Sequence, residues 1–176
     1  EGTAALGRAP WIERFTLPDP HLYAARALAA ALQKKGVSVE RGAASTTDSM
    51  AYRAARISTP LAEYLGRPLP DIIFPILNTS QNWFAEMLLK ILGREIGGAG
   101  SWERGLDVEK RFLIDSVKID STAFALDDGS GLSAGNLVTP RAFVQLLDYM
   151  YRHPKRAPFL AALPRAQQPG SLLQRF

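Results

Sequence analysis

A mixed α/β fold is what this sequence predicts, on three observations. Two helix starts, Asp19-Pro20 and Thr139-Pro140, each pair a side-chain N-cap acceptor with proline at the first helical position. Apolar residues at helical spacing follow both of them and also follow Ser80. By contrast, Val37-Ser38-Val39-Glu40 alternates with the two-residue period of a half-buried strand.

Taken in order, the first helix runs from Asp19-Pro20 with Leu22, Ala25, Leu28, Ala29 and Leu32 on one face, and Gly36 closes it. A strand is expected at Val37 to Glu40 and another over Tyr52 to Ser58, before Thr59-Pro60 starts a new helical turn. From Leu61 to Leu77 the apolar run is interrupted by Pro68, Pro70 and Pro75, which permits only short or kinked helical pieces. The chain breaks at Asn78-Thr79-Ser80. Phe84, Met87, Leu88 and Ile91 then predict a strong helix with these residues buried and Gly93 as its stop. Trp102, Leu106, Leu113 and Val117 predict one further amphipathic helix, with Gly105 blurring its start. Asp127-Asp128-Gly129-Ser130-Gly131 is a turn, and Thr139-Pro140 opens a helix carrying Phe143, Leu146, Leu147 and Met150 up to Pro154. No closing element is expected in the tail beyond it.

Composition narrows the function classes. The 176 residues fit one domain or part of a larger one, and with 47% hydrophobic residues the chain is long and apolar enough to bury a core. Its net charge of +4 is spread along the sequence, whereas a nucleic-acid surface needs a clustered basic face with interleaved aromatics. The absence of cysteine removes disulfides, thiolate metal sites and cysteine nucleophiles together. His21 and His153 have no neighbouring Cys, Asp or Glu at metal-ligand spacing, so no zinc site is expected, and both histidines are read as helix-surface residues. No apolar stretch is long enough to span a bilayer, and the opening Glu1-Gly2-Thr3 is not a signal peptide, so targeting information is expected outside this chain.

The chemistry is carried by two blocks. The first is Asn78-Thr79-Ser80-Gln81-Asn82-Trp83-Phe84-Ala85-Glu86-Met87-Leu88-Leu89-Lys90-Ile91-Leu92-Gly93, and the second is Asp128-Gly129-Ser130-Gly131-Leu132-Ser133 with Asn136 and Val138-Thr139-Pro140. The first resembles the S-x-N region of the low-molecular-mass class C penicillin-binding proteins, serine-type D-alanyl-D-alanine carboxypeptidases and endopeptidases. The second resembles their D-G-S-G-L-S-x-x-N-x-V-T-P segment. Leu163-Pro164 and Gly170 to Phe176 resemble the approach to that family's K-T-G strand, so the likeness runs from about Trp11 to Phe176.

The resemblance implies a penicillin-recognising fold, an antiparallel sheet flanked by helices, with a helical subdomain presenting Ser80 and Asn82 as the catalytic residues of this chain. Acyl transfer needs an activated nucleophile, a proton path to the leaving amine and donors for the oxyanion. On the resemblance, Ser80 is the relay hydroxyl, and Asn82 turns its amide toward the substrate carbonyl and the catalytic lysine, since an amide both donates and accepts. Local sequence leaves a second reading open for Ser80, an ordinary N-cap of the helix after it. Glu86 is read as a structural hydrogen-bond partner, Trp83 and Phe84 as core, and Asp128, Ser130 and Ser133 as a structural turn.

Two departures stand out. No serine here has a lysine three positions later and no lysine precedes Thr-Gly or Ser-Gly, so residues 1–176 are expected to be part of one catalytic domain whose S-x-x-K and K-T-G segments are absent from this chain. Gln81 replaces the acidic residue common between Ser and Asn. The implied partners are peptidoglycan stem peptides, β-lactam antibiotics and those missing segments, in the periplasm or another extracytoplasmic compartment, with neither nucleic acid nor a membrane span. No metal or organic cofactor is implied. Two other outcomes stay open: a non-catalytic cell-wall binding relative, and a β-lactamase or esterase on the same fold.

Overall fold

A computed structural model describes residues 16–48, 50–51, 54, 59 and 62–175, which fall in two units, Glu1–Glu63 and Tyr64–Phe176. In the first unit, α1 (Pro20–Lys34) begins as its sequence predicts: Asp19 Oδ1 accepts from the Leu22 amide at 2.8 Å. Its end is a Schellman closure, with the Val37 amide donating to the Leu32 carbonyl at 3.0 Å and Gly36 to Gln33 at 2.9 Å. Gly36 takes φ +82°, a conformation that glycine adopts without a Cβ penalty. The strand expected at Val37 to Glu40 does not form. Val37 is committed to the helix cap, and the alternation of four residues has no partner strand among the described residues to make use of it. No residue of α1 is buried. The strand expected over Tyr52 to Ser58 and the turn at Thr59-Pro60 lie outside the described residues, save for Ala54, which is helical, and Thr59.

The second unit carries both blocks. Its helices are α2 (Leu69–Thr79), α3 (Asn82–Glu95), α4 (Trp102–Arg111), α5 (Pro140–Arg152) and α6 (Arg156–Ala162). Pro70 lies in the first turn of α2, where its missing amide costs nothing, and only Pro75 interrupts the helix interior. Between α4 and α5 come a π-helical turn (Phe112–Ser116), a 3-10 turn (Ser121–Ala123) and an antiparallel pair, β1 (Phe124–Ala125) and β2 (Leu137–Val138). Phe124 pairs with Val138 and Ala125 with Leu137, so residues 126–136, the glycine-rich block included, form the loop of this pair.

Packing corrects several local readings. The face of α3 that is buried is Leu89 and Gly93, while Phe84, Met87 and Ile91 are 40–44% exposed and Trp83 is 69% exposed, so neither aromatic is core. The reason is the close crossing of α3 and α4. A Cβ on Gly105 would stand 2.3 Å from the Leu89 carbonyl oxygen, and one on Gly93 would stand 2.8 Å from the Gly105 nitrogen. Gly93 is therefore a packing residue inside α3 rather than its stop, and Gly105 belongs in α4 because no larger residue fits there.

The helix expected from Trp102 to Val117 is divided. Ser101 Oγ caps it at the Arg104 amide, it is α-helical to Arg111, and it then widens, with the Val117 amide reaching back to the Phe112 carbonyl at 3.2 Å. The apolar pattern runs through this change unaltered, so periodicity cannot see it. Leu113, Val117, Ile119 and Ala142 form the main buried cluster, against which Phe124, Leu126, Leu146 and Tyr149 pack. Phe112 meets Tyr149 edge to face at 5.7 Å. Thr139 Oγ1 caps α5 at the Ala142 amide, as its Thr-Pro signal predicts. His153 is its half-buried C-cap rather than a helix-surface residue, and α6 is a short helix that the tail's sequence did not signal.

Candidate functional site

Ser80 and Gln81 make up the whole connection between α2 and α3. The Pro75 carbonyl accepts from Thr79 Oγ1 at 3.0 Å, from the Gln81 amide at 3.2 Å and from the Ser80 amide. This tight closure leaves Ser80 at φ 58°, ψ 56°, the left-handed region where glycine commonly ends a helix. For a residue with a Cβ that conformation costs about 1 kcal/mol or more. The Ser80 side chain is exposed, and its hydroxyl makes no hydrogen bond among the described residues.

The N-cap reading of Ser80 is overturned by this geometry. Gln81 occupies the cap position of α3, and no side chain there accepts from the helix amides. Asn82 follows in the first turn, half-buried, with its amide likewise unpartnered among the described residues. A strained serine with an uncommitted hydroxyl and an asparagine two residues on thus sit at one helix junction. Backbone strain of this kind clusters at active sites and ligand clamps, and Lys118 and Gln167 also take a left-handed φ in this chain.

One turn further along α3, Glu86 is a hydrogen-bonding hub, as its sequence context suggests. Its Oε2 accepts from Trp102 Nε1 at 2.7 Å and from the Gly129 amide at 3.2 Å, and its Oε1 accepts from the Ser130 amide at 2.9 Å. Burial pushes the carboxyl upward, but the bonds from the Ser130 side chain, Trp102 and the two amides outweigh it and hold Glu86 below the usual glutamate value. The Trp102 ring also lies 3.4 Å beneath the Lys90 ammonium. Sequence reading placed Trp102 on an apolar face and so missed this partner.

The glycine-rich loop is the structural turn that its composition predicts. Asp128 Oδ1 accepts from the Gly131 amide at 2.6 Å and from Asn136 Nδ2 at 2.8 Å, and Oδ2 accepts from the Ser133 amide at 2.7 Å. Asn136 Oδ1 returns a bond to the Asp127 amide at 2.9 Å. Burial pushes the Asp128 carboxyl upward, but the bonds from Asn136, Ser133, Gly131 and Ser130 outweigh it, so it lies below the usual aspartate value. Gly129 rests directly on α3, where an added Cβ would stand 2.9 Å from Leu89 Cβ and 3.0 Å from the Ala85 carbonyl oxygen.

The tail reaches the same junction from the other direction. The Ser171 amide donates to the Asn78 carbonyl at 2.8 Å, and a Cβ on Gly170 would stand 2.6 Å from Asn78 Oδ1. The segment that resembles the approach to K-T-G is therefore held two residues before Ser80. Glu109, which no sequence signal singled out, faces an apolar cavity of about 350 Å³ lined by Ile76, Leu88, Leu92 and Phe112. Burial, and secondly the charge of Asp128, push its carboxyl upward, only partly offset by Lys110. Among the described residues no group of three His, Cys, Asp or Glu side chains is placed to hold a metal ion, and no helix is long and apolar enough to cross a membrane.

Comparison with known proteins gives consistent findings. The sequence profile of the D-Ala-D-Ala carboxypeptidase 3 (S13) family matches residues 1–176. A D-alanyl-D-alanine carboxypeptidase of Actinomadura sp. (strain R39) is 33% identical over 165 residues, which are 94% of this chain and 30% of that protein. The carboxypeptidase DacB of Mycolicibacterium smegmatis is 30% identical over 160 residues, 90% of this chain and 33% of that protein. In structure, penicillin binding protein 4 of Haemophilus influenzae, solved in complex with a β-lactam, aligns with a TM-score of 0.68 at 24% identity over 92% of this chain and 36% of that one. The chain thus spans about a third of the length of the proteins it matches. The α/β fold of the penicillin-recognising type expected from the sequence is borne out, with helices and a small antiparallel sheet among the described residues.

Proposed function

This chain belongs to the D-Ala-D-Ala carboxypeptidase 3 (S13) family, and we propose that it forms the S-x-N part of a serine D-Ala-D-Ala carboxypeptidase/endopeptidase acting on peptidoglycan stem peptides. The observation that carries this reading is the Ser80 junction, where a hydroxyl committed to no cap is held at a left-handed backbone position beside Asn82. A purely structural serine would be spared that strain by glycine.

In the proposed reaction the neutral lysine of an S-x-x-K segment outside these 176 residues takes the hydroxyl proton of that segment's serine as the serine oxygen attacks the carbonyl carbon of the penultimate D-alanine. The carbonyl π pair moves to oxygen, and the tetrahedral intermediate collapses as the C–N bond to the terminal D-alanine breaks. Ser80 passes a proton to the departing amine and is itself reprotonated from the lysine of the same S-x-x-K segment. Asn82 Nδ2 donates to a carbonyl of the bound peptide, and its Oδ1 accepts from that lysine. Water then cleaves the acyl-serine ester, releasing the shortened peptide as a carboxylate and restoring the serine. A β-lactam acylates the same serine by opening its ring, so no leaving group departs. Since the substrate polymer lies outside the cytoplasm, the enzyme belongs in the periplasm or an equivalent extracytoplasmic compartment.

Incubating the full-length protein with a fluorescent penicillin tests this. Covalent label on a single serine is expected. Reproducible absence of label on folded protein would instead favour a non-catalytic cell-wall binding relative. Label that is lost within seconds would favour a β-lactamase or esterase.

A further inference from the structure

Resting on the function proposed above, we infer that Glu86 is a positioning residue that sets Asn82 for acylation by clamping the start of α3 to α4 and to the glycine-rich loop. The argument begins with what α3 lacks. Its cap residue Gln81 makes no side-chain bond to the helix, and the residue before it is strained, so apart from the backbone closure on the Pro75 carbonyl no local side chain fixes the direction in which the first turn points. Glu86 lies four residues after Asn82, on the same face and one turn away.

The clamp joins three separate stretches of chain at one carboxylate. Trp102 comes from α4, and Gly129 and Ser130 lie 43 and 44 residues away in the loop between β1 and β2. Each partner is itself held. The Trp102 ring carries the Lys90 ammonium, which stands four residues after Glu86 on the same helix, and the loop is locked by Asp128 and Asn136. The loop backbone also lies close enough to α3 that only glycine fits at position 129. Sliding or rotating the first turns of α3 would break several of these bonds at once. A carboxylate suits this role because it is acceptor only. Glutamine has the same shape but turns an NH2 group toward an N–H donor, so one partner is lost and the contact becomes repulsive.

A double-mutant cycle on the full-length protein tests the role, reading the β-lactam acylation rate constant, the affinity of the preceding noncovalent complex and the melting temperature. Glu86→Gln is expected to lower the acylation rate constant about tenfold, with noncovalent affinity within about twofold, because a small misplacement of a positioning group acts on the reacting geometry. In an Asn82→Ala background the same substitution is expected to change the rate by less than about twofold, since the group through which it acts is gone. An equal loss in both backgrounds, or a wild-type rate in Glu86→Gln, overturns the role. Trp102→Phe removes a single donor to the carboxylate and supplies the same comparison if Glu86→Gln does not fold; a threefold or similar loss confined to the Asn82 background is expected. Wild-type protein that takes no label rejects the proposed function together with this role, whereas labelled wild type and an unaffected Glu86→Gln reject the clamp alone.

Discussion

Two helix starts in the same unit make an instructive contrast. At Thr139-Pro140 the hydroxyl accepts from the Ala142 amide, proline occupies the first helical position, and the start of α5 is settled within four residues. At Ser80-Gln81-Asn82 no side chain caps α3, the serine backbone is left-handed, and the fixing bonds come from residues up to 44 positions away. The first start is built for stability. The second leaves its polar side chains uncommitted and transfers the work of holding the helix to Glu86, the arrangement expected where a hydroxyl and an amide are needed for chemistry.

The largest expected effect lies at the second start. Asn82→Ala should lower β-lactam acylation of the full-length protein about 100-fold, the scale for losing a group that orients the bound substrate and the lysine, with little change in melting temperature. A normal rate in folded protein would remove Asn82 from the site. Ser80→Gly sharpens the contrast further, because glycine relieves the left-handed backbone while deleting the hydroxyl. Acylation should fall about tenfold or more, while thermal denaturation shows stability unchanged or raised by about 1 kcal/mol. A stability loss of the kind seen on removing a cap would instead return Ser80 to a structural role. Thr139→Ala is the reciprocal case, expected to cost about 1 kcal/mol in denaturant unfolding and to leave acylation intact.

A smaller effect concerns pH. The Glu86 carboxyl lies below its ordinary value in the folded protein, so its contribution to stability is present above about pH 4.5 and is lost as pH falls through the lowered native value. Asp128 acts in the same direction over the same acid range. The difference in melting temperature between wild type and Glu86→Gln should therefore shrink on acidification, and a difference independent of pH would show that the carboxylate charge is not what the clamp uses.

Particular residues show where sequence is readable. Asp19 and Thr139 cap the helices that follow them, Gly36 closes α1, and residues 127–131 turn the chain, because the bonds that decide these outcomes are short-range, the longest joining Asp127 and Asn136, 9 positions apart. Val37 to Glu40 misled because an alternating pattern needs a partner strand to become a strand, and here Val37 completes a helix cap. Gly93 looked like a stop and Phe84, Met87 and Ile91 looked buried because periodicity finds an apolar stripe without saying which side another helix will cover. The crossing at Gly93 and Gly105 chose the Leu89 side.

By itself, then, the sequence determined the family, the two motif blocks in their order and the capped helix starts, all of which are written in residue identity over short spans. Only the tertiary structure decided that Ser80 closes α2 in a left-handed conformation rather than capping α3. It alone decided, too, that Trp102, Gly129 and Ser130 meet on Glu86. The meeting on Glu86 depends on where separate helices and the loop come into contact, and no local hydrogen bond or periodicity specifies a meeting between residues 43 or 44 positions apart.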